Sequence, residues 1–434
     1  MRSLGTGTLA ALTTAALLAG CVSRTREPAP PEPFVFRSLD LRQQTRKGEP
    51  AWDLTSPEAR YDMSRQLAQA RQPRGSIYRR GKAYITVSAR RGTVIGDGQA
   101  IQLEGDVVIT LLGRNPVRIT GDQARWIPRQ NLMVIDRRPV ATDRRSRISG
   151  QMANYLLDKD LVELRGAPLL EQWSRKQPAE GQRGPAPIRV KAISVDWKPE
   201  QGDLIAQGPV QGERFTSKEK SGKDRSGHGK PAKDTPGQAD SKPGTSSSTP
   251  KGSPSPTGAQ PDLLLTSSGL RGNLRQGFID LLEPVRLRDA KGSTWLNARQ
   301  TRWAINEEWL ASDQPFEGAM KKLQARGNAL RINLADETVL VPSACALSQP
   351  GEQLTADRCL WNWTSGRFDA EGSVLLRRKA YKQITRSSRL QGQIGKDGTA
   401  VFTSPGARVN SQFTLPPKGP QRPSKKPAAP PVTF

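Results

Sequence analysis

The side chains able to do chemistry are few, and their placement is poor for it. The chain holds one histidine, His228. Imidazole acid–base catalysis, Ser-His-Asp triads and histidine metal sites therefore have almost no material to work with. The cysteines are Cys21, Cys345 and Cys359, too few for a four-thiolate zinc site or a disulfide-rich scaffold. Paired carboxylates remain. Asp158 with Asp160, and Glu307 with Glu308, are the pairs a glycosidase would need as acid and base. Both fall between apolar runs, in stretches that read as polar turns, and are expected to be solvated. No catalytic residue, metal or cofactor is expected, and the chain reads as a non-enzyme.

The charge points instead to a binding role. Lys and Arg number 67 against 41 acids in 434 residues, a net charge of +26. Such a balance suggests an anionic partner: nucleic acid, a membrane surface, or an acidic glycan or lipid. Residues 1–21 decide among these. Arg2 precedes an uncharged Ala- and Leu-rich run, and the run ends in Leu18-Ala19-Gly20-Cys21. This resembles a bacterial lipoprotein signal with its lipobox, in which Cys21 is lipidated and becomes the N-terminus. Acyl chains contribute ~0.8 kcal/mol per buried CH₂, so a multiply acylated Cys21 would hold the protein on a membrane. Export argues against nucleic acid and places Cys345 and Cys359 in an oxidising compartment.

The chain divides by composition. Residues 22–33 form a Pro-rich linker. Residues 213–261 contain one Phe and otherwise no aromatic, branched aliphatic or Met residue. They bury too little apolar surface to offset chain entropy and are expected to be a disordered insertion. Residues 416–434, basic and Pro-rich, are expected to form a disordered tail. Two β blocks remain, 34–212 and 262–415. Ile85-Val87-Ala89, Ile101-Leu103-Gly105-Val107-Ile109 and Val285-Leu287 alternate with polar residues, the period of half-buried strands. One short helix is expected over 57–70. A repeat also runs through both blocks. Trp126, Tyr155, Trp197, Trp303 and Trp361 each precede an apolar strand that ends in Gly or Pro. Each unit reads as a hairpin step that buries its apolar face only when stacked on its neighbours.

Two segments carry a family resemblance: Gly48–Tyr61, and Ile77–Ile109. Trp52, Leu54, Ala59 and Tyr61 are followed by Tyr78 and Gly81, Ala89 and Gly92, then Leu103, Gly105, Asp106 and Val107. This pattern resembles the periplasmic lipopolysaccharide-export family LptC, over about residues 48–173. The later repeats resemble the OstA-like β unit of the same pathway. The resemblance implies an all-β fold: an open β-jellyroll of stacked antiparallel hairpin repeats whose apolar interior carries lipopolysaccharide acyl chains. It implies end strands that dock edge-to-edge on partner jellyrolls, with the inner-membrane transporter as a further partner. Typical members have a transmembrane helix where this chain has a lipobox. At about twice the usual length, the chain is closer to the long cyanobacterial forms.

On this reading Trp52, Leu54, Tyr61, Ile85, Val87, Leu103, Val107 and Ile109 are the lipid-facing groove candidates. Arg137-Arg138, Arg144-Arg145 and Arg377-Arg378-Lys379 would meet phosphate or acidic sugars at the groove rim, or form a solvated face. Cys345 and Cys359 lie symmetrically about Glu352 with Pro350-Gly351 at the turn. A hairpin there sets them nearly opposite, and a disulfide is expected. The function that follows is a periplasmic, lipid-anchored component of the lipopolysaccharide-export bridge, on the inner membrane by family resemblance. The rival is a cell-envelope scaffold or polysaccharide-binding lipoprotein on the same repeats.

Overall fold

The computed structural model describes residues 34–173, 186, 188–215, 260–393 and 399–414. The expected signal segment, Cys21, the Pro-rich linker, residues 216–259 of the expected disordered insertion, and the expected tail 416–434 lie outside them. The described residues form 36 β-strands and two 3-10 turns, and all strand pairing is antiparallel. Alternation supplies the strands. In Ala100–Leu111, Ile101, Leu103, Val107, Ile109 and Leu111 are buried while their neighbours are not.

The chain builds two leaves at once. A strand in the first leaf is followed by a corner, a strand in the second leaf, a hairpin back along that leaf, and a corner home. Leu132–Asp136 and Met152–Leu156 thus pair in one leaf while Val140–Thr142 and Ser146–Ser149 pair in the other. Three pairs of long strands belong to both leaves: Ala100–Leu111 with Val117–Ile127, Asp203–Arg214 with Leu263–Asn273, and Arg367–Arg378 with Gln383–Gln393. The register shifts once in each pair. The shift falls at a repeated motif: Glu104-Gly105-Asp106-Val107, Gln207-Gly208-Pro209-Val210 and Glu371-Gly372-Ser373-Val374. Gly105, Gly208 and Gly372 have φ of 72°, 82° and 73°, a region open chiefly to glycine. Each is a bulge that turns a strand out of one leaf and into the other.

The middle long pair joins strands on either side of residues 216–259. Asp203–Arg214 lies directly against Leu263–Asn273, so the two β blocks continue as one sheet. The apolar core divides elsewhere. One cluster runs from Trp52 to Leu310, the other from Ala298 to Leu390.

The expected helix over 57–70 does not form. Those residues make Glu58–Asp62 and the start of Leu67–Arg71, paired as a hairpin. Ala59, Ala68 and Ala70 are buried and Met63 is 63% exposed. Alanine carries the period-2 pattern here and hides it, because it also suits a helix.

Cys345 and Cys359 form a disulfide with Cα atoms 6.0 Å apart. The hairpin around Pro350-Gly351 forms, but Ala356 stands opposite Cys345. Cys359 lies beyond the next corner, opposite Val341 and Ala370 in the first leaf. The bond therefore ties one leaf to the other. For a sequence separation of 14, loop-closure entropy gives roughly 3 kcal/mol. Denaturant unfolding of oxidised and reduced protein should differ by about that amount, and equal midpoints would contradict the stabilising role.

Candidate functional site

The facing sides of the two leaves carry unbroken apolar rows. In the first leaf, direct cross-strand partners lead from Tyr61 through Ala68, Val94 and Ile101 to Trp126, Met133, Tyr155, Val162 and Trp197. The same row continues through Leu204, Gly272, Ile279, Trp303, Leu310, Ile332 and Val339 to Trp361 and Phe368. The aromatic of each repeat is one rung of this row. In the second leaf the row runs from Leu41 and Leu54 through Val87, Ile109 and Ile148 to Leu265, Leu296, Leu347 and Leu376. At ~4.8 Å per strand, such a row measures on the order of 100 Å.

The groove candidates all lie in this interior, gathered in the first core cluster. Leu54, Ile85, Leu103, Val107 and Ile109 are at most 2% exposed, and Trp52 and Val87 are also buried. Trp52, from the second leaf, meets Trp126 of the first edge-on, with ring centroids 5.6 Å apart. Tyr61 is half-buried, and its hydroxyl donates to Asp97 Oδ1 at 3.4 Å. Around these residues the leaves are packed shut.

The leaves part further along, where the two core clusters meet. An apolar cleft of about 330 Å³ opens there, within the ~300–1,000 Å³ typical of ligand pockets. Its second-leaf wall is Leu287, Leu296, Gly318 and Ala325; its first-leaf wall is Leu310, Ile332, Val339 and Trp361. Each set is consecutive along its row. The cause is side-chain volume. Gly318 and Ala325 put almost nothing into the interior, and Ile332 and Val339 opposite them are left half-buried. Sequence reasoning missed this cleft; the signal was a Gly and an Ala at adjacent inward positions.

The carboxylate pairs stay apart from the cleft. Asp158 and Glu307 are exposed turn residues. Asp160 departs from the solvated turn expected of it, being 8% exposed. It accepts from the hydroxyls of Tyr84 at 3.1 Å and Tyr155 at 3.2 Å, and from the Glu200 N–H at 2.7 Å. The two hydroxyls lie 2.7 Å apart. The Arg79 guanidinium covers the Tyr84 ring at 3.7 Å and reaches Glu200 at 3.1 Å. Tyr84 comes from the second leaf and Tyr155 from the first, so this network bolts the leaves together. Burial pushes both tyrosine hydroxyls up. Burial also raises the Asp160 carboxyl, against the hydrogen bonds that favour its ionised form. No cluster suited to a metal ion occurs among the described residues.

Each leaf ends in strands with a single partner. Among the described residues, Phe34–Phe36 pairs only with Glu58–Asp62, and Ala400–Thr403 only with Gln383–Gln393. Phe34, Val35 and Phe36 are exposed at one end of the molecule, Val401, Val409 and Phe413 at the other.

The comparison with known families bears on this arrangement. Residues 9–167 match the family described as lipopolysaccharide-assembly, LptC-related. Over that span the chain is similar to this family. The match takes in every groove candidate and the Tyr84–Tyr155–Asp160 network, while the cleft lies outside it. No curated protein matches the chain. No helix among the described residues is long and apolar enough to cross a membrane.

The Asp160 environment gives a pH test. Its folded pKa lies above the ordinary 3.8, so the native state holds a proton that the unfolded state releases. Stability from this site is fully present below 3.8 and falls as pH rises through the raised value. The wild type should lose stability relative to Asp160→Asn across that acidic window in thermal melts. A gap that moves the other way would contradict the assignment.

Proposed function

We propose that this protein is a non-enzymatic stretch of the lipopolysaccharide-export bridge. The observation that carries the reading is the pair of facing apolar rows, continuous through the sheet and open at one cleft. Each acyl CH₂ exposed to water costs ~0.8 kcal/mol, so a carrier of several chains needs a continuous apolar wall rather than one pocket. The groove candidates, Trp52, Leu54, Tyr61, Ile85, Val87, Leu103, Val107 and Ile109, lie along that wall. In this reading acyl chains pass between the leaves, and the cleft marks where the leaves already stand apart. No bond is made or broken, in keeping with the scarcity of catalytic side chains.

The end strands supply the partners. A strand paired on one side only presents a free row of N–H and C=O groups, a hazard in most proteins and a docking edge here. The exposed Phe34–Phe36 segment and the Val401 and Phe413 region add apolar area to those edges, suited to neighbouring jellyrolls. Lipidation of Cys21 would hold one end at the inner membrane. In this reading the lipid anchor stands where typical members have a membrane-spanning helix.

Depletion of the protein tests the reading. Lipopolysaccharide should accumulate in the inner membrane and disappear from the cell surface. Normal surface lipopolysaccharide after depletion would refute the export role and leave the envelope-scaffold alternative.

A further inference from the structure

The outward face of the second leaf carries a trough. Along one outward row, direct cross-strand partners are Trp295, Ala319, Gln324, Ser348, Gln353 and Arg377. Each is next in sequence to a residue of the inward row, so this row faces away from the apolar cleft. All of them line a cavity of about 820 Å³. Side-chain volume shapes it: Ala319 and Ser348 are small, and Trp295 and Arg377 stand large at the two ends of the row. Trp295 is half-buried, and Gln324, Gln353 and Arg377 are exposed.

Turns line the same cavity. Lys321-Lys322 joins Phe316–Met320 to Leu323–Gly327, and Pro350-Gly351 joins Cys345–Gln349 to Glu352–Ala356. Lys379 caps and Lys382 ends the 3-10 turn that follows Arg367–Arg378. The Lys379 N–H donates to the Gly351 carbonyl at 2.8 Å, which sets those two turns side by side. Lys321, Lys322, Arg377, Lys379 and Lys382 are exposed, and among the described residues no carboxylate forms an ion pair with them. The one acidic lining residue, Glu352, is already engaged by Arg378 Nε at 2.9 Å and Gln349 Nε2 at 2.7 Å. The lysines come at two stations. Their turns lie four strand steps apart along the leaf, roughly 19 Å at ~4.8 Å per strand, with the uncharged Pro350-Gly351 turn between them.

One small anion cannot reach both stations. An extended chain with an acid group at intervals can. The indole of Trp295 is a flat apolar platform that suits the C–H face of a pyranose ring. The Gln324 and Gln353 amides supply donors and acceptors for sugar hydroxyls. The ammonium groups add charge-assisted hydrogen bonds to carboxylates. We propose that this trough is a binding site for a carboxylate-bearing polysaccharide, laid across the strands from Trp295 to Arg377. The site faces away from the apolar rows. It would moor the outer surface of the second leaf to an acidic glycan whether or not acyl chains pass between the leaves.

Titration of the full-length protein with four probes tests it: hexagalacturonate, the neutral hexasaccharide cellohexaose, hexaglutamate and a single-stranded hexadeoxynucleotide. Hexagalacturonate should bind about tenfold more tightly than cellohexaose, as expected for one or two charge-assisted contacts, and more tightly than hexaglutamate by a similar factor for the lost ring contacts. A variant combining K321Q, K322Q, K379Q and K382Q should lose the advantage over cellohexaose. W295A should weaken hexagalacturonate and leave hexaglutamate unchanged. Q353L alters an exposed side chain and should act in the same direction, which keeps the test open if W295A disturbs the fold. Hexagalacturonate binding no tighter than cellohexaose, or an advantage that survives the four substitutions, would overturn the proposal. Equal binding of hexagalacturonate and hexaglutamate would mark a cationic patch with no sugar recognition and also overturn it. Tighter binding of the hexadeoxynucleotide than of hexagalacturonate would mark a nucleic-acid surface instead, with the same consequence.

Discussion

Antiparallel register is the constraint on which everything else rests. Side chains alternate between the faces of a strand, so a slip by one residue would carry an apolar row from the interior to solvent. Here the rows hold across hairpin after hairpin. Trp126 faces Met133, Met133 faces Tyr155, Tyr155 faces Val162 and Val162 faces Trp197. The long strands shift register only at their corner motifs, where a bulge and a left-handed glycine re-aim the strand. Two leaves with facing apolar walls are what a single sheet becomes when it is folded at such corners.

The leaves are held together by different chemistry at different places. Near the start of the sheet the contacts are aromatic packing, Trp52 on Trp126, and the buried Tyr84–Tyr155–Asp160 network. Toward the end the tie is covalent, Cys345 to Cys359. Between them, Gly318 and Ala325 withdraw bulk and the interior opens. The outer faces carry cross-strand ion pairs such as Arg302–Asp280 at 2.6 Å and Arg358–Glu371 at 3.0 Å. Exposed pairs of this kind contribute little to stability, and they use the chain's scarcer acids. What remains uncompensated is cationic, and part of it gathers around a cavity on the outer side of the second leaf.

Much of this was legible in the residues. The alternation of Ile101, Leu103, Val107 and Ile109 named both a strand and its buried face, and the repeat aromatics turned out to be rungs of one row. The failures share a cause: small or polar residues whose meaning depends on what lies opposite. Ala59, Ala68 and Ala70 read as helix because alanine suits either structure, and strand neighbours decided. Asp160 read as a solvated turn because the tyrosines that bury it, at positions 84 and 155, come from other strands. Gly318 and Ala325 make the cleft by what they lack, which only the facing wall reveals. Cys345 and Cys359 sit symmetrically about a turn, yet they meet across leaves and not across the hairpin.

The central claim is that the inward row is a lipid path along the sheet. Site-specific photo-crosslinking in cells, scanned residue by residue along the strands that carry Leu103, Leu296, Ala325 and Val339, tests it directly. Capture of lipopolysaccharide should alternate with period two, strong from these inward positions and absent from their outward neighbours. Capture with no such alternation, or none from any inward position, would contradict the account.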